Sequence, residues 1–131
     1  MNRAATLSRS MFTTRKPPRA GRPAWKRAEE FKRWLRKLSC AKCGFEPGDP
    51  GNPIVVAHVD HAGDKGVATK VADKHCIPLC NGCHATQHAI GWRTFEAGLP
   101  TGDATALAAA YWQRWPGMKE WEAQFAGEGG R

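Results

Sequence analysis

Between Cys76 and His88 the chain reads CIPLCNGCHATQH. Cys80-x-x-Cys83 runs directly into His84, and His88 follows four residues later. Thiolate and imidazole ligands for a borderline divalent ion therefore meet on one short segment. Either all four residues share one metal, or two neighbouring sites divide the work between holding a fold and cutting a bond. CIPL is a short apolar run and predicts a strand. A helix is expected from Asn81 to about Phe95, N-capped near Asn81 and weakened at Gly91. On that helix His84 and His88, at i and i+4, share one face.

A second pair upstream, Cys40-x-x-Cys43, is separated from Cys80-x-x-Cys83 by 36 residues. Each such turn presents two sulfurs to one ion, and Zn²⁺ takes four thiolates tetrahedrally. Gly44 follows the first pair and can adopt the positive φ such a turn ends on. The gap is longer than in a compact zinc ribbon, so a structural Zn²⁺ held by Cys40, Cys43, Cys80 and Cys83 must clamp distant chain segments. Cys76 is left over, read as a small buried residue on its strand.

The totals agree with a small stapled domain. The chain has 131 residues, with nine prolines, fourteen glycines and six tryptophans, which suggests a small core with irregular connections. Below about 80 ordered residues such a core usually needs a staple. Five cysteines, an odd count, argue against a disulfide framework. No run approaches the roughly 18 apolar residues of a membrane span. A soluble chain with reduced cysteines, cytoplasmic in a bacterial or phage-infected cell, is the expectation.

Charge is placed unevenly. The net charge is +8, yet residues 1 to 38 hold twelve of the twenty Lys and Arg against two acids, a net +10. A basic arm over 1–24 on a near-neutral body over 25–126 suits a polyanion such as DNA or RNA, through counterion release at phosphates. The arm's composition also fits a solvated tail or an organelle transit peptide. Residues 127–131, GEGGR, are expected to be a frayed end. From Trp25 onward Ala28, Phe31, Trp34, Leu35 and Leu38 recur at three- and four-residue steps, which predicts an amphipathic helix. Its other face carries Lys26, Arg27, Lys32, Arg33, Arg36 and Lys37 as candidate phosphate contacts, with Lys70 further on. IVVAHV, residues 54 to 59, predicts a first strand. Asp103 is placed to cap a helix over Ala104 to Trp115, which Pro116 and Gly117 end before a last short helix from Met118 to Phe125.

All five histidines lie between positions 58 and 88, and His58 and His61 bracket Asp60 just after the first strand. Strand, loop, strand and helix carrying VVAHVDHAGDKG, KVADKHCIPLC and NGCHATQH resemble the ββα-metal motif of HNH endonucleases, and most closely the small phage and prophage members. The similarity spans roughly residues 25 to 115. It implies an α+β fold, a zinc-stapled ββα-metal (HNH, or His-Me finger) core flanked by helices, and metal-dependent hydrolysis of DNA phosphodiester bonds. It further implies His58 as general base, His84 as ligand of a catalytic divalent ion, and His88 as second ligand or phosphate contact. Asp73 falls near the middle position that orients the base or the loop. Ala57 stands where many members place a metal-binding Asp or His; either His58 is itself the ligand, or Asp60 or His61 compensates. The loop GVATKVAD lacks a Gly and a Pro found in the common pattern, and Asp60 replaces a common basic residue. The alternative is a zinc-stapled DNA-binding protein on the same scaffold without cleavage. Hydrolysis needs an activated water and positive charge where charge develops. A neutral His can supply the first near pH 7 and Mg²⁺, Mn²⁺ or Ni²⁺ the second.

Overall fold

A computed structural model of the chain describes residues 23–62 and 71–126. Among these the chain is mixed α and β, with five α-helices and a two-stranded sheet. The basic arm up to residue 22, the loop carrying Lys70 and the tail 127–131 lie outside the described residues. No described helix is long and apolar enough to cross a membrane.

Helix α1 covers Glu29–Leu35, shorter than the periodicity suggests. Its start is fixed by Ala28, whose φ of −134° is not helical and whose N–H donates to Asp73 Oδ2 at 2.8 Å. A carboxylate 45 residues away thus takes the N-cap N–H, the donor that a Glu or Gln at Phe31's position would take in a capping box. Upstream, Ala24–Lys26 form a single 3₁₀ turn. Phe31 and Leu35 are fully buried, with Trp34 and Leu38 packed at the margin. After α1 the chain enters the Cys40–Cys43 turn, closed by Gly44 at φ 78°. Ala41 N–H donates to Pro78 O at 2.9 Å, which docks that turn on the second strand.

Strand β1 (Ile54–His58) pairs antiparallel with β2 (Cys76–Cys80) in the register His58↔Cys76 to Ile54↔Cys80. Every residue of β2 is buried, because α1 and the later helices close over this short sheet. Helix α2 (Asn81–Ile90) starts directly from β2, with Cys80 rather than Asn81 as N-cap: its Sγ accepts from Cys83 N–H. Gly91, at φ 85° and ψ 157°, ends α2, and α3 (Trp92–Glu96) sets off in a new direction. The expected single helix to Phe95 is therefore two, since a backbone in this region is open essentially to glycine alone.

Helix α4 (Ala104–Arg114) is capped by Asp103, whose Oδ1 accepts from Ala106 N–H at 3.1 Å. Its buried face, Ala104, Ala108, Tyr111 and Trp112, packs on β2 and on the turn at Asp73–His75. Helix α5 (Met118–Gln124) follows Pro116 and Gly117. Trp112 meets the Phe31 ring edge-on at 4.9 Å and Trp121 at 5.2 Å, geometries aromatic rings prefer. Its indole N–H reaches Glu122 Oε2 at 2.6 Å.

Candidate metal centre and histidine cluster

The end of β2 positions one half of the cysteine cluster and the turn after α1 the other. Cys40, Cys43, Cys80 and Cys83 bring their sulfurs within 4.8 Å of one another, with Cys43 Sγ and Cys80 Sγ 3.8 Å apart. In each half the second cysteine's amide donates to the first one's sulfur, at 3.5 Å for Cys43 and 3.4 Å for Cys83. Amide hydrogens aimed at sulfur stabilise thiolate, the form a metal takes. Burial presses Cys80 towards the thiol. Hydrogen bonds from the Cys83 amide, the Asn52 side chain and the neighbouring thiols outweigh it and bring Cys80 down to about 7. Burial and then the bond to Cys80 push Cys83 far up. One sulfur ionises readily and its neighbour resists, because thiolates this close repel unless a cation stands between them. The four cysteines fit Zn²⁺ by donor type, number and support.

Asn52 Oδ1 also accepts from Gly82 N–H at 2.9 Å, so the loop before β1 satisfies a second orphan donor of α2. Sequence reasoning did not single out Asn52. Its role depends on a contact across thirty residues.

The histidines sort into distinct places. His84 and His88 turn their Nε2 atoms to within 3.2 Å of each other, on the helix that carries Cys83 but outside the thiol cluster. Desolvation first, then the fields of His88 and His58, lower the pKa of His84 and hold it neutral, as a metal ligand must be. At the end of β1, His58 Nε2 lies 2.9 Å from Asp73 Oδ1. Asp73 is fully buried, and its other oxygen faces Ala28 N–H and, at 3.4 Å, Lys32 Nζ. Spacing along the chain alone gives no sign of this pairing, which the antiparallel return of β2 creates, although the family resemblance puts Asp73 near the position that orients the base or the loop.

Other expected site residues lie elsewhere. His61 points to α3, with Nε2 3.4 Å from Glu96 Oε1 and its ring against Trp92. The same Glu96 oxygen accepts from Ala104 N–H, so His61 sits with a helix-capping carboxylate rather than with His58. Asp60 is exposed. The basic face of α1 is narrower than the sequence suggests. Lys26 is buried, its ammonium 5.4 Å from the Trp25 ring. Lys32 turns inward between Glu29 and Asp73, because the buried carboxylate needs a counter-charge. Arg27, Arg36 and Lys37 stay exposed, as does Arg33, which pairs with Glu30 at 2.7 Å.

Cys76, left over in the sequence, joins a second group: its sulfur lies within 4.8 Å of ligand atoms of both His58 and Asp73. Compared with models of protein families, with curated proteins and with solved structures, the chain finds no match.

Proposed function

We propose that the chain is a metal-dependent endonuclease of the HNH type, hydrolysing phosphodiester bonds of double-stranded DNA. The observation that carries the reading is the hydrogen bond between His58 and the buried Asp73. A carboxylate oxygen can only accept, so Nε2 of His58 donates to it and Nδ1 keeps the lone pair. That is the tautomer a general base needs to take a proton from water. Asp73 is itself held by Ala28 N–H and Lys32, so the ring is fixed from behind by the fold.

His84 and His88 are the residues to hold the catalytic ion, since two imidazole nitrogens 3.2 Å apart suit a shared ligand position. When bound, a divalent ion supplies positive charge at the scissile phosphate and the departing oxygen. Among the described residues no third His, Cys, Asp or Glu completes a group with this pair. The pair therefore leaves coordination positions for water and phosphate oxygens, as a catalytic site requires. Arg27, Arg33, Arg36 and Lys37 offer charge to the backbone of the duplex, and residues 1–24 add six more Lys and Arg with no acid. The four-cysteine Zn²⁺ holds the frame and stays closed.

A second reading, a zinc-stapled DNA-binding protein without cleavage, draws on one observation. Ala57 is 1% exposed and offers no ligand beside His58. Plasmid nicking separates the two. The endonuclease converts supercoiled plasmid to the open form with Mn²⁺ and stops with EDTA; a protein that retards the plasmid in a gel yet never nicks it, with Mg²⁺, Mn²⁺ or Ni²⁺, is the binding protein.

A further inference from the structure

We propose that His58, Asp73 and Cys76 form a second metal site, one that takes a thiophilic divalent ion of the Zn²⁺, Co²⁺ or Cd²⁺ class. The sheet register builds it. His58 and Cys76 are directly opposed across the β1–β2 pair, and facing residues on an antiparallel ladder put their side chains on the same side. Asp73 enters from the 3₁₀ turn three residues before Cys76. The three ligand atoms lie within 4.8 Å of one another, and the nitrogen–oxygen pair is already at 2.9 Å. A nitrogen, an oxygen and a sulfur together favour Zn²⁺ and its neighbours over Mg²⁺ or Ca²⁺, which seek oxygen alone.

The supporting contacts are those of an oriented ligand. Ala28 N–H and Lys32 Nζ occupy Asp73 Oδ2, which leaves Oδ1 turned towards His58. Asp73 and Cys76 are fully buried, whereas the His58 side chain keeps 18% of its surface exposed and gives the ion its entry. The Lys32 charge stands 3.4 Å from the carboxylate. It weakens the hold on a dication and makes this an exchangeable site, unlike the all-sulfur cluster.

Occupancy has a consequence that rests on the nuclease reading above. An ion shared by the three side chains replaces the hydrogen bond that sets the tautomer of His58, and so removes the general base. Thiophilic ions then inhibit, while Mn²⁺ or Mg²⁺ at His84 and His88 activates.

Cobalt spectroscopy tests the site without reference to cleavage. Protein carrying one Zn²⁺ is titrated with Co²⁺, and a zinc-sensitive dye confirms that the first Zn²⁺ is not displaced. Beyond any Co²⁺ held by His84 and His88, which gives no thiolate band, one equivalent with a single-thiolate charge-transfer band is expected. Cys76→Ala and Cys76→Ser should both keep their zinc and circular dichroism but lose the band, with Co²⁺ affinity at this site falling by about 100-fold or more, since losing even an outer-shell partner of a ligand costs up to that much. No band in the wild type, or an equal band in Cys76→Ala, overturns the site. In the nicking assay with Mn²⁺, Cd²⁺ at the concentration that saturates the site should suppress the wild type and spare Cys76→Ala. Equal suppression of both overturns the inhibitory role. A wild type that binds Co²⁺ through Cys76 yet nicks under no metal sinks the nuclease reading and leaves the site established.

Discussion

Asp73 holds three parts of the molecule at once, and two substitutions there separate its structural duty from its chemical one. In Asp73→Ala the Ala28 N–H loses its acceptor at the start of α1, Lys32 loses its buried partner, and His58 loses the oxygen 2.9 Å from Nε2. Removing one member of a buried ion pair costs about 3–5 kcal/mol, mostly through the charge left behind. For a domain of this size each kcal/mol moves the melting temperature by roughly 4–8 °C, so a fall of about 12 °C or more is expected. Asp73→Asn keeps the volume and one carbonyl oxygen. Ala28 N–H and Lys32 both claim that oxygen, which turns the amide NH₂ towards His58. The imidazole must then accept at Nε2 and carry its proton on Nδ1, the wrong tautomer for a base. The amide also removes one of the two carboxylates beside Lys32, and Glu29 remains at 3.1 Å, so a loss of about 1–3 kcal/mol is expected. Plasmid nicking should fall about 100-fold or more, the usual worth of a general base. Calorimetry and nicking on both variants read the two effects separately. If Asp73→Ala melts within two degrees of the wild type, the carboxylate does not hold α1. If Asp73→Asn nicks like the wild type, Asp73 does not set the tautomer of His58.

Other perturbations act on separate parts. Cys83→Ser should lose the tightly held Zn²⁺ and the cooperative melting transition together, because zinc binding free energy is largely folding free energy in so small a domain; zinc content by atomic absorption and a thermal melt check it. His84→Ala should keep one Zn²⁺ and its far-ultraviolet spectrum yet lose Mn²⁺ binding and nicking, and unfolding with zinc loss instead would merge the two sites into one. Deleting residues 1–24 removes six Lys and Arg and no acid, and should flatten the slope of log affinity for DNA against log salt by up to about 5 with no change in melting temperature. Gly91→Ala should destabilise by about 1–3 kcal/mol. No atom lies within 4 Å of a Cβ built there, so the cost is conformational, and an unchanged melt would show that α2 and α3 can straighten.

What the sequence made legible was what its near neighbours determine. The two C-x-x-C turns, the positive φ at Gly44, the Asp103 cap and the stop at Pro116 each depend on residues a few positions apart, and all are present. The break at Gly91 belongs with them. Hidden were the contacts that only the return of β2 creates. Asp73 reaches back 45 residues to Ala28 and 15 to His58, so its spacing along the chain says nothing of either partner. Cys76 read as inert because its value depends on standing opposite His58. Lys26 and Lys32 counted as surface charge, since helical periodicity locates a face but not a buried carboxylate waiting on it. His61 lies close to His58 in sequence, yet the turn after β1 carries it to Glu96.

These long-range contacts explain how neighbouring residues serve different ends. Cys80 is at once the last residue of β2, the N-cap of α2 and a member of the thiol cluster. An ion at the cluster therefore fixes the first turn of α2 relative to the sheet, and His84 and His88 ride on that helix without belonging to the cluster. Consecutive residues on a helix point about 100° apart, so the clamp can hold Cys83 inward while His84 turns its ring to His88. On the other side, Asp73 ties the end of β1 to the start of α1. The thiol cluster and Asp73 thus set the positions of the helix histidines and of His58 independently. A variant that loosens the clamp should displace His84 while leaving the His58–Asp73 contact, and a variant at Asp73 should do the reverse. Histidine ring resonances in two-dimensional NMR spectra distinguish them: Asn52→Ala, which keeps all four thiols but removes the acceptor of Gly82 N–H and a support of Cys80, should shift His84 and His88 and spare His58. Equal shifts at all three would mean that the sheet and α2 move as one body and that the two anchors are not separate.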